Sequence, residues 1–291
     1  MSFWKKLKES LVEIAIKTSG LASIFIVALI LFFLCKEGIQ LFQTENLGHF
    51  LSGKSWYPIS DPPEFGILPL ILGTLLVTAG AAMIAIPLGI AAAVYIAEVA
   101  PPKTREVLKS GIELLAAIPS VVLGFIGMIT IVPWMKTLFH ISTGLTALSG
   151  SVILAFMAMP TIVSIAEDAL HTVPKTFKEG AYALGATQWQ TIYRVVLPAA
   201  SSGIVAAVML GIGRVVGETM AVMMVTGNSA SMPRGFLYPV RTLTATVAAE
   251  MGETVQGSDH YFALFAIGIV LFLITFAINM TADMFLHRGR K

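Results

Sequence analysis

Six stretches of mostly apolar residues, each long enough to cross the hydrocarbon core of a bilayer, leave this chain few ways to fold. They lie at roughly 15–41, 67–97, 111–135, 145–166, 199–227 and 261–286. About twenty apolar residues in helical conformation span that core, so each run predicts a transmembrane helix. With 56% hydrophobic and only 12% charged residues, the chain has too little charge for a soluble domain. The expected fold class is an all-α polytopic membrane protein with six transmembrane helices. The second run exceeds one perpendicular crossing and is predicted to tilt, to bend near Pro87 or to extend past the hydrocarbon. Pro87, Pro119 and Pro160 fall inside apolar runs. Each frees a backbone carbonyl that lipid cannot satisfy, so those helices should face protein or a wet cavity there.

Basic residues set the orientation. With the N-terminus cytoplasmic, the inner segments hold Lys5, Lys6, Lys8, Lys17, Lys103, Arg105, Lys109, Lys175, Lys178, Arg194, Arg288, Arg290 and Lys291, and the outer segments hold Lys36, Lys54, Lys136, Arg234 and Arg241. Thirteen against five is a positive-inside bias, which predicts a multi-pass protein of the cell membrane with both termini cytoplasmic. The first run is expected to be an uncleaved helix that also serves as the insertion signal, because no small-residue cleavage site follows it. Two outer segments, about 44–66 and 228–260, are long enough to carry structure of their own. Cys35 has no second cysteine to pair with.

One inner segment stands apart, EGAYALGATQWQTIYRVVLP from Glu179 to Pro198. Phe177, Ala181 and Leu184 recur at i, i+4 and i+7 and so share one face of a helix too short to cross a membrane. Pro174 suits the start of that helix, and Gly185 suits a left-handed stop. Thr187 and Gln190 have capping-box spacing for a second helix, which Leu197 and Pro198 are expected to end. The prediction is a compact knob of two short helices, with Tyr182 and Trp189 free to pack into a groove on another protein.

The pattern of Glu179, Gly180, Ala181, Gly185, Val195, Leu197 and Pro198 resembles the EAA loop of ABC-importer permeases. It departs from that pattern in having Gly180 for the usual alanine and Val195 for the usual isoleucine. The resemblance implies a type I importer permease fold in which this loop, about 167–198, couples to a separate ATP-hydrolysing subunit. Glu179, Gly180, Ala181, Gly185, Leu197 and Pro198 would be the coupling residues.

Arg214 and Glu218 are the informative charges in the membrane, in the middle of the fifth run. An arginine at a helix centre costs about 2.5–3.5 kcal/mol on insertion scales, so something must compensate it. Glu218, four residues on, would share its face in a continuous helix. Gly211, Gly213 and Gly217 would let a neighbouring helix or a substrate come close. Two readings stay open: an intrahelical pair that only fixes packing, or an arginine offering its planar fork to an oxyanion in a translocation path, with Glu218 holding it when the path is empty. Thr219, Ser120 and Thr161 are candidate neutral donors along such a path. The methionines Met220, Met223 and Met224 read as packing. The five histidines show no ligand spacing, so no metal and no cofactor is expected.

The runs GRVVGETMAVMMVTGN, IELLAAIPSVVLG and IVLFLITFAINM resemble PstC-type permeases of phosphate ABC importers. That resemblance implies a single permease domain over 1–291 that pairs with a PstA-type second permease, two ATP-binding subunits and an extracytoplasmic phosphate-binding protein. It also implies that Arg214 and Glu218 matter for transport. A PstA-type role, or sulfate or molybdate as substrate, are the nearby alternatives. No G-x-x-x-x-G-K-S/T run is present to cradle nucleotide, and neither H-E-x-x-H nor G-x-S-x-G occurs, so an enzyme is disfavoured and nucleic acid has no place here. A secondary transporter driven by an ion gradient would explain the membrane charges but leave the loop without a task.

Overall fold

A computed structural model describes residues 3–288 of the chain. Of the charges counted above, the side chains of Lys5, Lys6, Lys8, Arg288, Arg290 and Lys291 lie outside the described residues. Helix α1 (Phe3–Gly38) leads through a 3-10 turn into short α2 (Leu47–Ser52) and a two-stranded hairpin of β1 (Trp56–Tyr57) and β2 (Glu64–Phe65). Helix α3 (Leu68–Val94) follows, then α4 (Pro102–Ala117), α5 (Ser120–Ile126), α6 (Val132–Leu138) and α7 (Ala147–His171). Past α7 come α8 (Lys175–Ala183), α9 (Gln188–Thr191), α10 (Leu197–Ala199), α11 (Ser201–Val216), α12 (Met220–Val225), α13 (Leu243–Glu250) and α14 (Asp259–Arg288). Among the described residues five helical stretches are long and apolar enough to cross a membrane, or six when the bent pair Gln188–Ala199 with Ser201–Val216 is counted as one span.

Helix α7 is the hub. Val77, Ala81 and Ala85 of α3, Val215 of α11 and Val222 of α12 are buried with its residues Ile153 to Ile162 in one core. Helices α1 and α14 pair at one edge, where Gly38 meets Ile269 and Gly268 meets Leu34. Over Leu11 to Phe33, α1 is open to its surroundings, as a lipid-facing helix of this hydropathy should be.

Three prolines that the apolar pattern hides shape the spans. Wide π turns at Tyr95–Val99, Gly127–Ile131 and Ile192–Val196 each end two residues before a proline, Pro101, Pro133 and Pro198. A proline ring clashes with the carbonyl four residues back, and one extra residue in the preceding turn moves that carbonyl aside.

The third run is not one helix, contrary to the sequence expectation. It divides at Ile118 and Pro119, both in extended conformation, because the residue before a proline is pushed out of the helical region. Pro87 and Pro160 do lie inside helices. The fifth run is also broken, at 217–219, and is discussed below.

At the end of the bundle that carries the hairpin, the two long segments fold against each other. The Glu250 carboxylate accepts from Trp56 Nε1 at 3.0 Å and pairs with His260 Nε2 at 2.9 Å and with the Arg241 guanidinium. Trp56 is buried there against Phe65. Replacing Glu250 with alanine strands an arginine and an indole N–H together. A loss of about 3 kcal/mol is expected, read as a lower midpoint of thermal unfolding in detergent, with Glu250→Gln milder.

Candidate functional site

The polar loop forms as its residues dictate. Helix α8 ends in a full Schellman motif, with Gly185 N–H donating to the Tyr182 carbonyl at 2.9 Å and Ala186 N–H to the Ala181 carbonyl at 3.1 Å. Gly185 takes φ +80°, where a side chain is strained. The capping box is complete: Thr187 Oγ1 accepts from Gln190 N–H, and Gln190 Oε1 accepts from Thr187 N–H at 2.9 Å. The second helix does not stop at Leu197 and Pro198. It passes through them to Ala199 and bends by 71° into α11, because the π turn before Pro198 absorbs the proline.

Phe177, Ala181 and Leu184 line a cleft of about 430 Å³ with Gln190 and Arg194. Leu184, the last residue of the predicted helical face, is 91% exposed and forms the apolar tip. Glu179 and Gly180 are exposed, and a Cβ on Gly180 would touch nothing. Tyr182 and Trp189 are both exposed, as expected, with Trp189 on the side that borders α3. Trp189 stacks at 6.4 Å on Tyr193 and, with Leu197, borders a groove of about 370 Å³ against Pro87, Ile90 and Val94 of α3.

Loop and bundle are joined by ion pairs. Lys178 Nζ donates to Glu98 at 2.7 Å, Lys109 to Glu167 at 2.8 Å and to Asp168 at 3.3 Å, and Arg105 lies 3.5 Å from Glu167. The Lys109 ammonium is held above the usual lysine range, chiefly by its hydrogen bond to Glu167 and against a smaller cost of burial. A raised lysine stabilises below its unfolded value and loses that contribution only as pH climbs through the raised one. The tie of α4 to α7 is therefore charged throughout the physiological range. None of Glu98, Glu167 and Lys178 was singled out from sequence, since each partner lies tens of residues away.

In the bundle the fifth run breaks after Val216. Gly217 closes α11, and Glu218 and Thr219 lead into α12. The predicted continuous face of Arg214 and Glu218 therefore does not exist, and among the described residues the two form no ion pair. The Glu218 carboxylate turns forward to accept from Ala221 N–H at 3.3 Å, while its backbone carbonyl accepts from Thr244 Oγ1 of α13 at 2.8 Å. Thr219 Oγ1 bonds back to the Gly217 carbonyl at 3.3 Å. Arg214 is exposed on α11 and has neither a side-chain hydrogen bond nor a salt-bridge partner among the described residues. Of the three glycines, Gly211 is the close approach, where a Cβ would stand 2.5 Å from Ile162; Gly213 and Gly217 are not tight.

The two breaks lie at one level. Gly124 packs on Ala221 and Gly127 near Val225, so α5 and α12 run parallel, the one opening at Ser120 and the other at Met220. Against α7, Gly127 meets Ile153 while Ile112 lies beside Val163, which sets the Ile118–Pro119 break opposite the middle of α7. Gly211 crosses α7 in that same region. Ser120 is half-buried at this level, whereas Thr161 is half-buried on α7 with no contact that brings it to Arg214. Asn279 of α14, unremarked in sequence, brings its Oδ1 near Gly213. The break between α4 and α5 and the break after α11 thus lie along the same stretch of α7, and Arg214, without a partner among the described residues, precedes the second break by three residues.

The model of the family described as binding-protein-dependent transport system inner membrane component matches residues 85–291. A probable ABC transporter permease protein of Bacillus subtilis, YqgH, is 42% identical over 246 residues, 84% of this chain and 80% of that protein. The phosphate transport system permease protein PstC of Mesorhizobium japonicum is 38% identical over 258 residues, 82% of this chain and 78% of the relative. Among solved structures, a chain of a bacterial ABC transporter involved in the import of the acidic polysaccharide alginate matches over 99% of both chains with a TM-score of 0.65 at 17% identity. A chain of the MetNI methionine ABC transporter in an inward facing conformation matches 79% of this chain and 99% of its own length with a TM-score of 0.60 at 19% identity. At such identities the likeness is one of fold.

Proposed function

The chain belongs to the family of binding-protein-dependent transport system inner membrane components, and from that premise we propose that it is the permease subunit of an ATP-driven importer of inorganic phosphate. The names of relatives such as the Mesorhizobium protein supply the substrate. The observation that carries the reading is Arg214, exposed and without a side-chain partner among the described residues, three residues before the helix break at 217–219. A guanidinium with all five donors free has the fork that a tetrahedral oxyanion accepts. Glu218, turned forward to Ala221 N–H, leaves that fork open, and Thr219 and Ser120 are the neutral donors of the proposed path.

The whole chain, 1–291, acts as one permease domain, and a PstA-type partner covers the open side of α11 to complete the path. The loop around Leu184 faces the cytoplasm and seats on an ATPase subunit, while the Glu250 end faces outward toward a phosphate-binding protein. Closure of two ATPase subunits draws the loops together and opens the path outward; the difference in loop binding between the two states is the coupling. In proteoliposomes, phosphate uptake should require ATP on the loop side. A single cysteine at Leu184, in a Cys35→Ala background, should label only from that side. Uptake that follows a proton gradient and ignores ATP, or labelling from the opposite face, overturns the reading.

A further inference from the structure

Where α3 leaves the bundle, its last turn runs into Pro101 and Pro102, and neither has an N–H to give. In a continuing helix those two N–H groups would go to the carbonyls of Ala97 and Glu98, four residues back. Both acceptors are orphaned. Arg105 Nη2 donates to the Ala97 carbonyl at 2.9 Å, and Gln188 Nε2, from the first residue of α9, donates to the Glu98 carbonyl at 3.1 Å. The Glu98 carboxylate, 9% exposed, accepts from Lys178 Nζ of α8 at 2.7 Å. Glu98, in the π turn that extends α3, thus holds both helices of the loop, one through its main chain and the other through its side chain. From there α3 packs along α7, with Gly89 against Ile162 and Gly80 against Ser151.

We propose that Glu98 is a positioning residue of the transport cycle, the point where both halves of the cytoplasmic loop pull on α3 and so on the α7 core. The Pro101–Pro102 pair creates the backbone socket, and the carboxylate adds a charge-assisted bond, which is about twice as strong as a neutral one. This inference rests on the loop being the ATPase dock. A loop hinged elsewhere would move without α3.

The test uses the assembled importer, with phosphate uptake and ATP hydrolysis measured per complex. Glu98→Gln and Lys178→Glu should each lower the phosphate moved per ATP by about tenfold, the scale of one partly buried pair. The exchanged pair, Glu98→Lys with Lys178→Glu, should recover most of the loss. Unchanged stoichiometry in both single variants, an exchange no better than the weaker single, or a loss confined to the amount of complex overturns the proposal. Should a single variant fail to assemble, the exchange is read alone: uptake near that of the native chain supports the pair, and its absence overturns it. If the native chain captures no ATPase subunit, the reading of the loop has failed; if it does and Glu98→Gln stays coupled, only the role of Glu98 has.

Discussion

Arg214→Gln should lower phosphate uptake by about a hundredfold while the chain still inserts and assembles. Hydrogen bonds to a charged group contribute up to about 3 kcal/mol, and each 1.4 kcal/mol is a factor of about ten. The control on folding is built into the site. Arg214 touches no carboxylate and donates to no protein acceptor among the described residues, so its removal breaks no internal bond. Removing a cation from mid-membrane instead relieves an insertion cost of about 2.5–3.5 kcal/mol. A purely structural arginine would behave in the opposite way: the chain would assemble poorly, and whatever assembled would transport normally. Arg214→Lys keeps the charge and loses the planar fork, so uptake between the native and glutamine values is expected. Full uptake by the glutamine variant would remove Arg214 from the path.

The geometry also removes the Arg214–Glu218 pairing that both sequence readings of Glu218 assumed, the packing pair and the holder of Arg214 in an empty path alike. A pair at i and i+4 presupposes helix throughout, and GRVVGET carries the apolar residues that make helix the natural expectation. What breaks it is long-range: Thr244, twenty-six residues on, donates to the Glu218 carbonyl that a continuing helix would have used. Window hydropathy is blind to such a bond, as it is to Ile118 and Pro119, where a break costs nothing in mean apolarity. The polar loop was legible for the converse reason. Its Schellman turn and capping box are closed by residues at most five apart, so Gly185, Thr187 and Gln190 specify them locally. The apolar runs were readable as helical in outline, since lipid forces helix on them, but the breaks inside the third and fifth were not. Where the loop is tied down was not readable, because Glu98 meets Lys178 across eighty residues.

Gly185→Leu should uncouple the complex, lowering uptake about tenfold or more while ATP hydrolysis continues. At φ +80° a residue with a Cβ is strained by roughly 1–2 kcal/mol, and the corner relieves that strain by opening. Opening it loses the Schellman bonds and swings Leu184, the exposed apolar tip, away from the cleft it shares with Phe177 and Ala181. A bulky residue at Glu179, exposed on α8, should have the same effect by obstructing the dock from outside rather than by bending it. Gly180→Ala separates this mechanism from mere sensitivity of the loop. Its Cβ would meet nothing, and alanine favours helix over glycine by about 1 kcal/mol, so uptake should be unchanged and α8 firmer. If Gly185→Leu transports phosphate at the native ratio to ATP, the angle between α8 and α9 does not carry the coupling. If Gly180→Ala also fails, the loop is read by the motor as a surface in which even an outward methyl is too much, and the corner loses its special standing.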